Sequence, residues 1–171
     1  MQDRRFLIES ISPDKLKKFI DDYQPTFDFP NIKEVYNRTL ELAFDSEDES
    51  FTNVIHTCYD MQEEKYCAIL NIGTTKALAD YTSIAVEFLY IEPEYRKVKF
   101  EELNNQELSQ YLLLDYVVGN IGFQTKSNIG ISMIALSPID DKVRTRYEEI
   151  GFDSIEESGS NKFEDWMYFS Y

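Results

Sequence analysis

Long apolar runs are missing: nowhere among the 171 residues does one approach the roughly 18 residues that span a bilayer. Arg4 and Arg5 open the chain without a sustained apolar stretch behind them, so no export signal is visible. Cysteine is scarce. Cys58 and Cys67 are too few for a disulfide scaffold, and the expected compartment is reducing and cytoplasmic. One His, His56, and two Cys at this spacing make no zinc site, and the expectation is no metal. There is no P-loop, no Gly-x-Gly-x-x-Gly fingerprint and no serine elbow. Six Gly, five Pro and the lack of low-complexity tracts exclude disorder beyond short loops. Positive charge is also short. Seventeen basic against 32 acidic residues give −15, a field that repels phosphate polymers and anionic lipid and draws amines, polyamines or basic peptides. The expected partners are therefore an amine-bearing small molecule or basic peptide, with no nucleic acid and no membrane. Acidity that merely keeps the protein soluble is the plainer alternative.

What is present suits one folded domain over residues 1–171: 43% hydrophobic and 15% aromatic residues, enough for a full core. Residues 5–11 read as a strand, and Ser12-Pro13 start a helix with Leu16, Phe19, Ile20 and Tyr23 on one face. Asn31 and Glu34 suggest a capping box for a second helix carrying Ile32, Val35, Tyr36, Leu40 and Ala43, ended by the acidic run at 45–49. Residues 51–61 and 65–73 switch to period two and predict a hairpin turning near Gln62 and Glu63. A two-residue turn would put Phe51, Ile55, Tyr59, Tyr66, Leu70 and Ile72 on one face, with Cys58 opposite Cys67 as reduced thiols or a cross-strand disulfide. A strand at 82–91 ends before Pro93, and a charged segment spans 94–102. Asn104 and Glu107 then suggest the cap of an apolar helix with Leu108, Leu112, Leu114, Val117, Val118 and Ile121. A strand at 128–136, a helix opened by Ser137-Pro138 and closed at Gly151, and strands at 152–155 and 162–171 complete the chain. The class is α+β with one central sheet, in the order β-α-α-β-β-β-α-β-α-β-β.

That order, with two local segments, resembles the Gcn5-related N-acetyltransferase (GNAT) family. Phe88-Leu89-Tyr90-Ile91-Glu92-Pro93-Glu94-Tyr95-Arg96 is similar to the family's fourth strand and the run into its pyrophosphate loop. Tyr147, three residues, then Gly151-Phe152 is similar to the family's tyrosine segment. The resemblance implies a mixed, mostly antiparallel sheet flanked by helices on both faces. It also implies acetyl-CoA as acyl donor and transfer of an acetyl group to a primary amine by direct attack.

On that resemblance the main chain of Leu89, Tyr90 and Ile91 would hold the pantetheine arm. The family's loop of amides and small residues, which lets the backbone approach the phosphates, is broken here. Arg96 keeps the first position, but Lys99 and Glu101 stand where small residues belong. Arg96, Lys97 and Lys99 could hold phosphates through side chains instead, or the stretch is a solvated charged loop. Tyr147 matches the tyrosine that protonates the leaving thiolate, and it also falls on a helical stripe with Ile139, Val143 and Ile150. Glu87 is the one acid in the apolar run 83–91 and the candidate base, an edge glutamate facing solvent being the alternative. A homodimer through residues 162–171 is carried by the resemblance alone. Two rival readings stand: a noncatalytic protein of this fold binding a basic partner through its acidic surface, and a toxin that acetylates charged transfer RNA, which the net charge disfavours.

Overall fold

Ser12 leaves the first strand with extended backbone (φ −70°, ψ 151°) and Pro13 supplies the preset φ of a first helical residue, so β1 (Phe6–Ser10) passes directly into α1 (Pro13–Asp22). The structure, a computed structural model, describes residues 5–43, 53–78, 81–155 and 165–171. The acidic run at 45–49, Phe51 and the connection at 156–161 therefore lie outside the described residues. Leu16, Phe19 and Tyr23 are buried with Ile32, Tyr36, Leu40 and Ala43 of α2 (Ile32–Ala43), and together they close a core with Ile55, Ile69, Phe88 and Tyr90. Asn31 does not cap α2 from ordinary extended backbone. It sits in the left-handed region at φ +64°, and its carbonyl accepts from Val35 N–H at 3.0 Å.

The remaining elements are β2 (Val54–Asp60), β3 (Lys65–Leu78), β4 (Tyr81–Ile91), β5 (Lys99–Phe100), β6 (Gln106–Glu107), α3 (Leu108–Gln110), a π-helical stretch Tyr111–Gly122, α4 (Phe123–Ile129), β7 (Met133–Leu136), α5 (Asp141–Glu149), β8 (Asp153–Ser154) and β9 (Met167–Ser170). Seven strands form one sheet in the order β1-β2-β3-β4-β7-β9-β8, and β5 pairs with β6 as a separate ribbon. The sheet is mostly antiparallel, with β4 and β7 running parallel. This is the mixed α+β architecture, with helices flanking the sheet, that the element order implies.

The chain divides into two compact units, Met1–Ile72 with Glu87–Ser109 and Gly73–Val86 with Gln110–Tyr171. The first holds the core just described. In the second, Leu112, Leu113, Val117 and Val118 are buried along the π-helical stretch, as are Ile134, Leu136, Phe152 and Met167. Trp166 and Tyr168 pack on Ala135 and Ile155.

The departures from the sequence reading have local causes. The β2–β3 turn is four residues long, because Asp60 pairs with Lys65 and the Asp60 carboxylate accepts from the N–H groups of Gln62 and Glu63. A register shift follows Tyr59↔Tyr66, so Cys58 faces Ala68 instead of Cys67. The bulge turns Ile69 and Asn71, instead of Leu70 and Ile72, toward the helices: Ile69 joins the helix core and Asn71 Nδ2 donates to the Thr39 carbonyl at 3.3 Å. Both cysteines are free and buried, with Cys67 Sγ donating to the Cys58 carbonyl at 3.3 Å.

Asn104 and Asn105, at φ +56° and +60°, do not cap the apolar helix. They close the β5–β6 ribbon, a role for which asparagine tolerates left-handed backbone. Helix continues to Ile129 and ends at left-handed Gly130 (φ +74°), which leaves only Met133–Leu136 as strand. Asp140 opens α5 in place of Ser137-Pro138 by accepting from Val143 N–H at 2.8 Å. Ile139 lies before that helix, 68% exposed, and so has no place on its buried stripe. Gly151 takes the expected left-handed turn at φ +102°.

Candidate functional site

β4 is paired with β7 only through Ile84, Ala85 and Val86, and among the described residues no strand continues that edge past Val86. On the other side Glu92 N–H donates to the Cys67 carbonyl at 2.9 Å, while the Ile91 carbonyl accepts from Arg96 Nε at 2.7 Å. Main-chain groups alternate along a strand, so Tyr90 faces β3 with Glu92, whereas Leu89 and Ile91 point to the unpaired edge. Of the three residues expected to offer main-chain contacts, Leu89 and the Ile91 N–H face that edge. Tyr90 is occupied with β3 and contributes its side chain, the hydroxyl donating to Asp28 Oδ1 at 2.9 Å.

Arg96 is not a free cation. Its two terminal nitrogens bond to the two oxygens of Asp28 at 2.5 and 3.0 Å, and its guanidinium lies 4.7 Å from the Phe29 ring centroid and 5.1 Å from that of Tyr90. The pair holds the Asp28 carboxyl below its ordinary value, with the Arg96 hydrogen bond the largest cause. Lys97 is exposed at φ +58° and Lys99 is exposed on β5, and among the described residues neither takes part in an ion pair.

The charged stretch that replaces the small-residue loop is a built structure. Tyr95, Phe100 and Leu103 are buried in it, Phe6 meets Phe100 edge-on at 4.9 Å, and Arg5 stacks over both rings. Asp60, wholly buried, accepts from Arg5 Nε and Nη2 at 3.1 and 2.9 Å and from the Tyr95 hydroxyl at 3.0 Å. Burial alone would raise the Asp60 carboxyl, but Arg5 and the turn amides hold it below its ordinary value. Lys99 lines a cavity of about 570 Å³ beside this ribbon, with Arg5, Lys65, Glu94, Tyr95 and Glu102 among its other walls. Only the single 3-10 turns Pro93–Tyr95 and Glu101–Leu103 precede Leu108, where α-helix begins after the ribbon, so no run of loop amides leads straight into an α-helix N-terminus as the family loop would.

Glu87 is exposed on β4, and partial desolvation pushes its carboxyl above the ordinary value while Arg38 pulls it back. Tyr147, in the second unit, is half-buried on α5 and packs on Phe152 at 6.0 Å. Burial pushes its phenol up to about 12, so it is protonated at neutral pH. His56 is buried on β2 and pushed down to about 4, hence neutral.

Two residues escaped the sequence reading. Glu92 is 6% exposed and accepts from Tyr23 Oη at 2.6 Å and Thr26 Oγ1 at 2.5 Å. An acid directly after an apolar strand was the available signal for it. Asp28 had no signal, since its partner Arg96 is far along the chain.

No protein-family model matches the sequence, and no curated protein does. The strand order, the helix pair after β1 and the parallel β4–β7 junction define an acetyltransferase fold of the GNAT type, which solved structures match over nearly the whole chain. AtaTR bound with acetyl-CoA is 14% identical with a TM-score of 0.64, covering 97% of this chain and 93% of that one. AtaT complexed with acetyl-methionyl-tRNAfMet is 12% identical with a TM-score of 0.63, covering 96% and 94%. A Tyr→Phe mutant of the AtaT toxin, bound to the C-terminus of the antitoxin AtaR and acetyl-CoA, is 13% identical with a TM-score of 0.62, covering 97% and 93%. The chain is thus a divergent carrier of the GNAT fold.

Proposed function

We propose that the protein is an acyl-CoA-dependent N-acyltransferase that moves an acetyl group from acetyl-CoA to a primary amine. The observation that carries this reading is the main chain of Leu89 and the N–H of Ile91, which face an edge that no described strand pairs, on the fourth strand of an acetyltransferase fold, the Ile91 carbonyl being held by Arg96. The presence of acetyl-CoA in two of the matching structures supports it. Leu89 and Ile91 fit the pantetheine arm. The phosphate end has no amide loop, so Lys97 and Lys99, together with Arg96 once it is free of Asp28, are the groups that fit it.

The chemistry asked of the side chains is modest. Glu87, with its carboxyl above the usual range, takes a proton from the attacking amine directly or through water. Tyr147 hands its phenolic proton to the departing thiolate, and burial keeps that proton in place until it is needed. A cationic acceptor suits the net charge of −15. Acetylated tRNA is bound to AtaT, and for this chain the expectation of no nucleic acid stands on charge alone.

The rebuilt ribbon at residues 94–107 favours one rival, a noncatalytic protein binding a basic partner. Calorimetric titration with acetyl-CoA and CoA separates the two. Saturable binding, followed by thiol release with a panel of amines, is expected, and no binding at millimolar ligand would sink the enzyme.

A further inference from the structure

The segment Asp28-Phe29-Pro30 is held in an unusual way. Phe27 before it and Asn31 after it both take left-handed backbone, at φ +51° and +64°, and for a bulky residue such as Phe27 that conformation is strained. Phe27 is anchored, its ring 5.5 Å from Tyr36 in the helix core. Upstream, Tyr23 and Thr26 are fastened to Glu92. The three residues between the two bends have a different attachment. Asp28 bonds to both terminal nitrogens of Arg96 and to the Tyr90 hydroxyl, and Phe29, 47% exposed, lies against the same guanidinium. Arg96 is thus the common anchor of the segment.

A carboxylate on both nitrogens of a guanidinium occupies the face that a phosphate would take, since both anions accept the same forked pair of bonds. Arg96 is also the one residue of the broken phosphate loop that stands in its family position. We infer that Asp28 is an internal anion seated in the donor's phosphate site, so that a phosphate reaching Arg96 displaces Asp28 and frees residues 28–30 about the bends at Phe27 and Asn31. Donor binding and release of the segment that joins α1 to α2 are then one event. The inference rests on the acetyl-CoA reading, and it makes Asp28 a determinant of donor affinity that does not itself contact the acetyl group.

The test uses CoA as probe on three forms of the full chain: wild type, Asp28→Asn and Glu94→Gln. Glu94 carries the same charge as Asp28 but pairs with Lys65 at 2.9 Å, so its variant controls for the general loss of one negative charge. Asp28→Asn should tighten CoA binding on the order of threefold to tenfold, and Glu94→Gln by less than about twofold. In wild type, CoA should speed hydrogen exchange at the amides of Asp28 and Phe29, the opposite of ordinary protection by a ligand. Equal CoA affinity in all three forms, or slower exchange at those two amides, would overturn the inference and leave the donor reading standing. Absence of CoA binding in every form would remove both. Binding by Asp28→Asn alone would support the inference in its strongest form.

Discussion

At the residue scale, the two candidate catalytic groups differ in what burial does for them. Tyr147 gains a proton that stays bound up to about 12, and Glu87 a carboxyl that titrates above its usual range. Turnover should therefore rise with pH along a limb that belongs to Glu87 and vanishes in Glu87→Gln, with no descending limb from Tyr147 below about pH 11. Tyr147→Phe should slow turnover on the order of 10²-fold and leave the Kd for acetyl-CoA within about twofold, since the phenol serves the departing thiolate. Unchanged turnover would remove Tyr147 from the mechanism. Asp60 makes a separate prediction about stability. Its folded pKa lies below the ordinary 3.8, so its contribution is present above that value and disappears as pH falls through the lower folded one. Asp60→Ala strands Arg5 and the Tyr95 hydroxyl in a largely buried place, and urea unfolding at pH 7 should show a loss of about 3 kcal/mol that shrinks in acid.

At the scale of elements, the helix at 108–129 carries the sharpest steric demand. A Cβ on Gly122 would overlap the Tyr171 hydroxyl, which donates to the Val118 carbonyl. Gly122→Ala should cost about 1–2 kcal/mol and lower Tm by about 2–8 °C, and Tyr171→Ala should cost about 1. The double variant should cost less than their sum by at least about 0.5 kcal/mol, and strict additivity would argue against the contact. The elements themselves were legible wherever local chemistry decides: Ser12-Pro13 opens α1, the 3.6-residue stripe buries Leu16, Phe19 and Tyr23, and Gly151 turns left-handed. The Cys67 bulge was not legible, because a slip of one residue leaves both alternating patterns intact and is decided by which face meets the helices. Residues 94–102 read as a charged segment, phosphate-holding or solvated, because charges dominate the count, whereas Tyr95 and Phe100, with Leu103 just beyond, do the packing. Of the candidate site, Leu89, Ile91, Tyr147 and Glu87 could be proposed from the strand and motif positions. The Asp28–Arg96 pair could not, since it joins residues 68 apart that no local pattern connects.

For the whole molecule, ion pairing leaves the net charge of −15 unchanged, and self-repulsion should weaken the folded state at low ionic strength. Raising NaCl from about 20 mM to about 500 mM should lift Tm by about 2–5 °C. A fall instead would mean that pairs such as Arg5–Asp60 and Arg96–Asp28 outweigh the repulsion. The parallel junction at Ile84–Val86 has a consequence for how the chain is made. Its partner, residues 134–136, is synthesised only after the whole long helix. At ribosomal rates of roughly 5–20 residues per second, the emerging chain passes several seconds with an apolar strand edge complete and its mate unmade. That interval, more than any property of the finished fold, is when this protein is most exposed to mispairing with a neighbour or to capture by a chaperone.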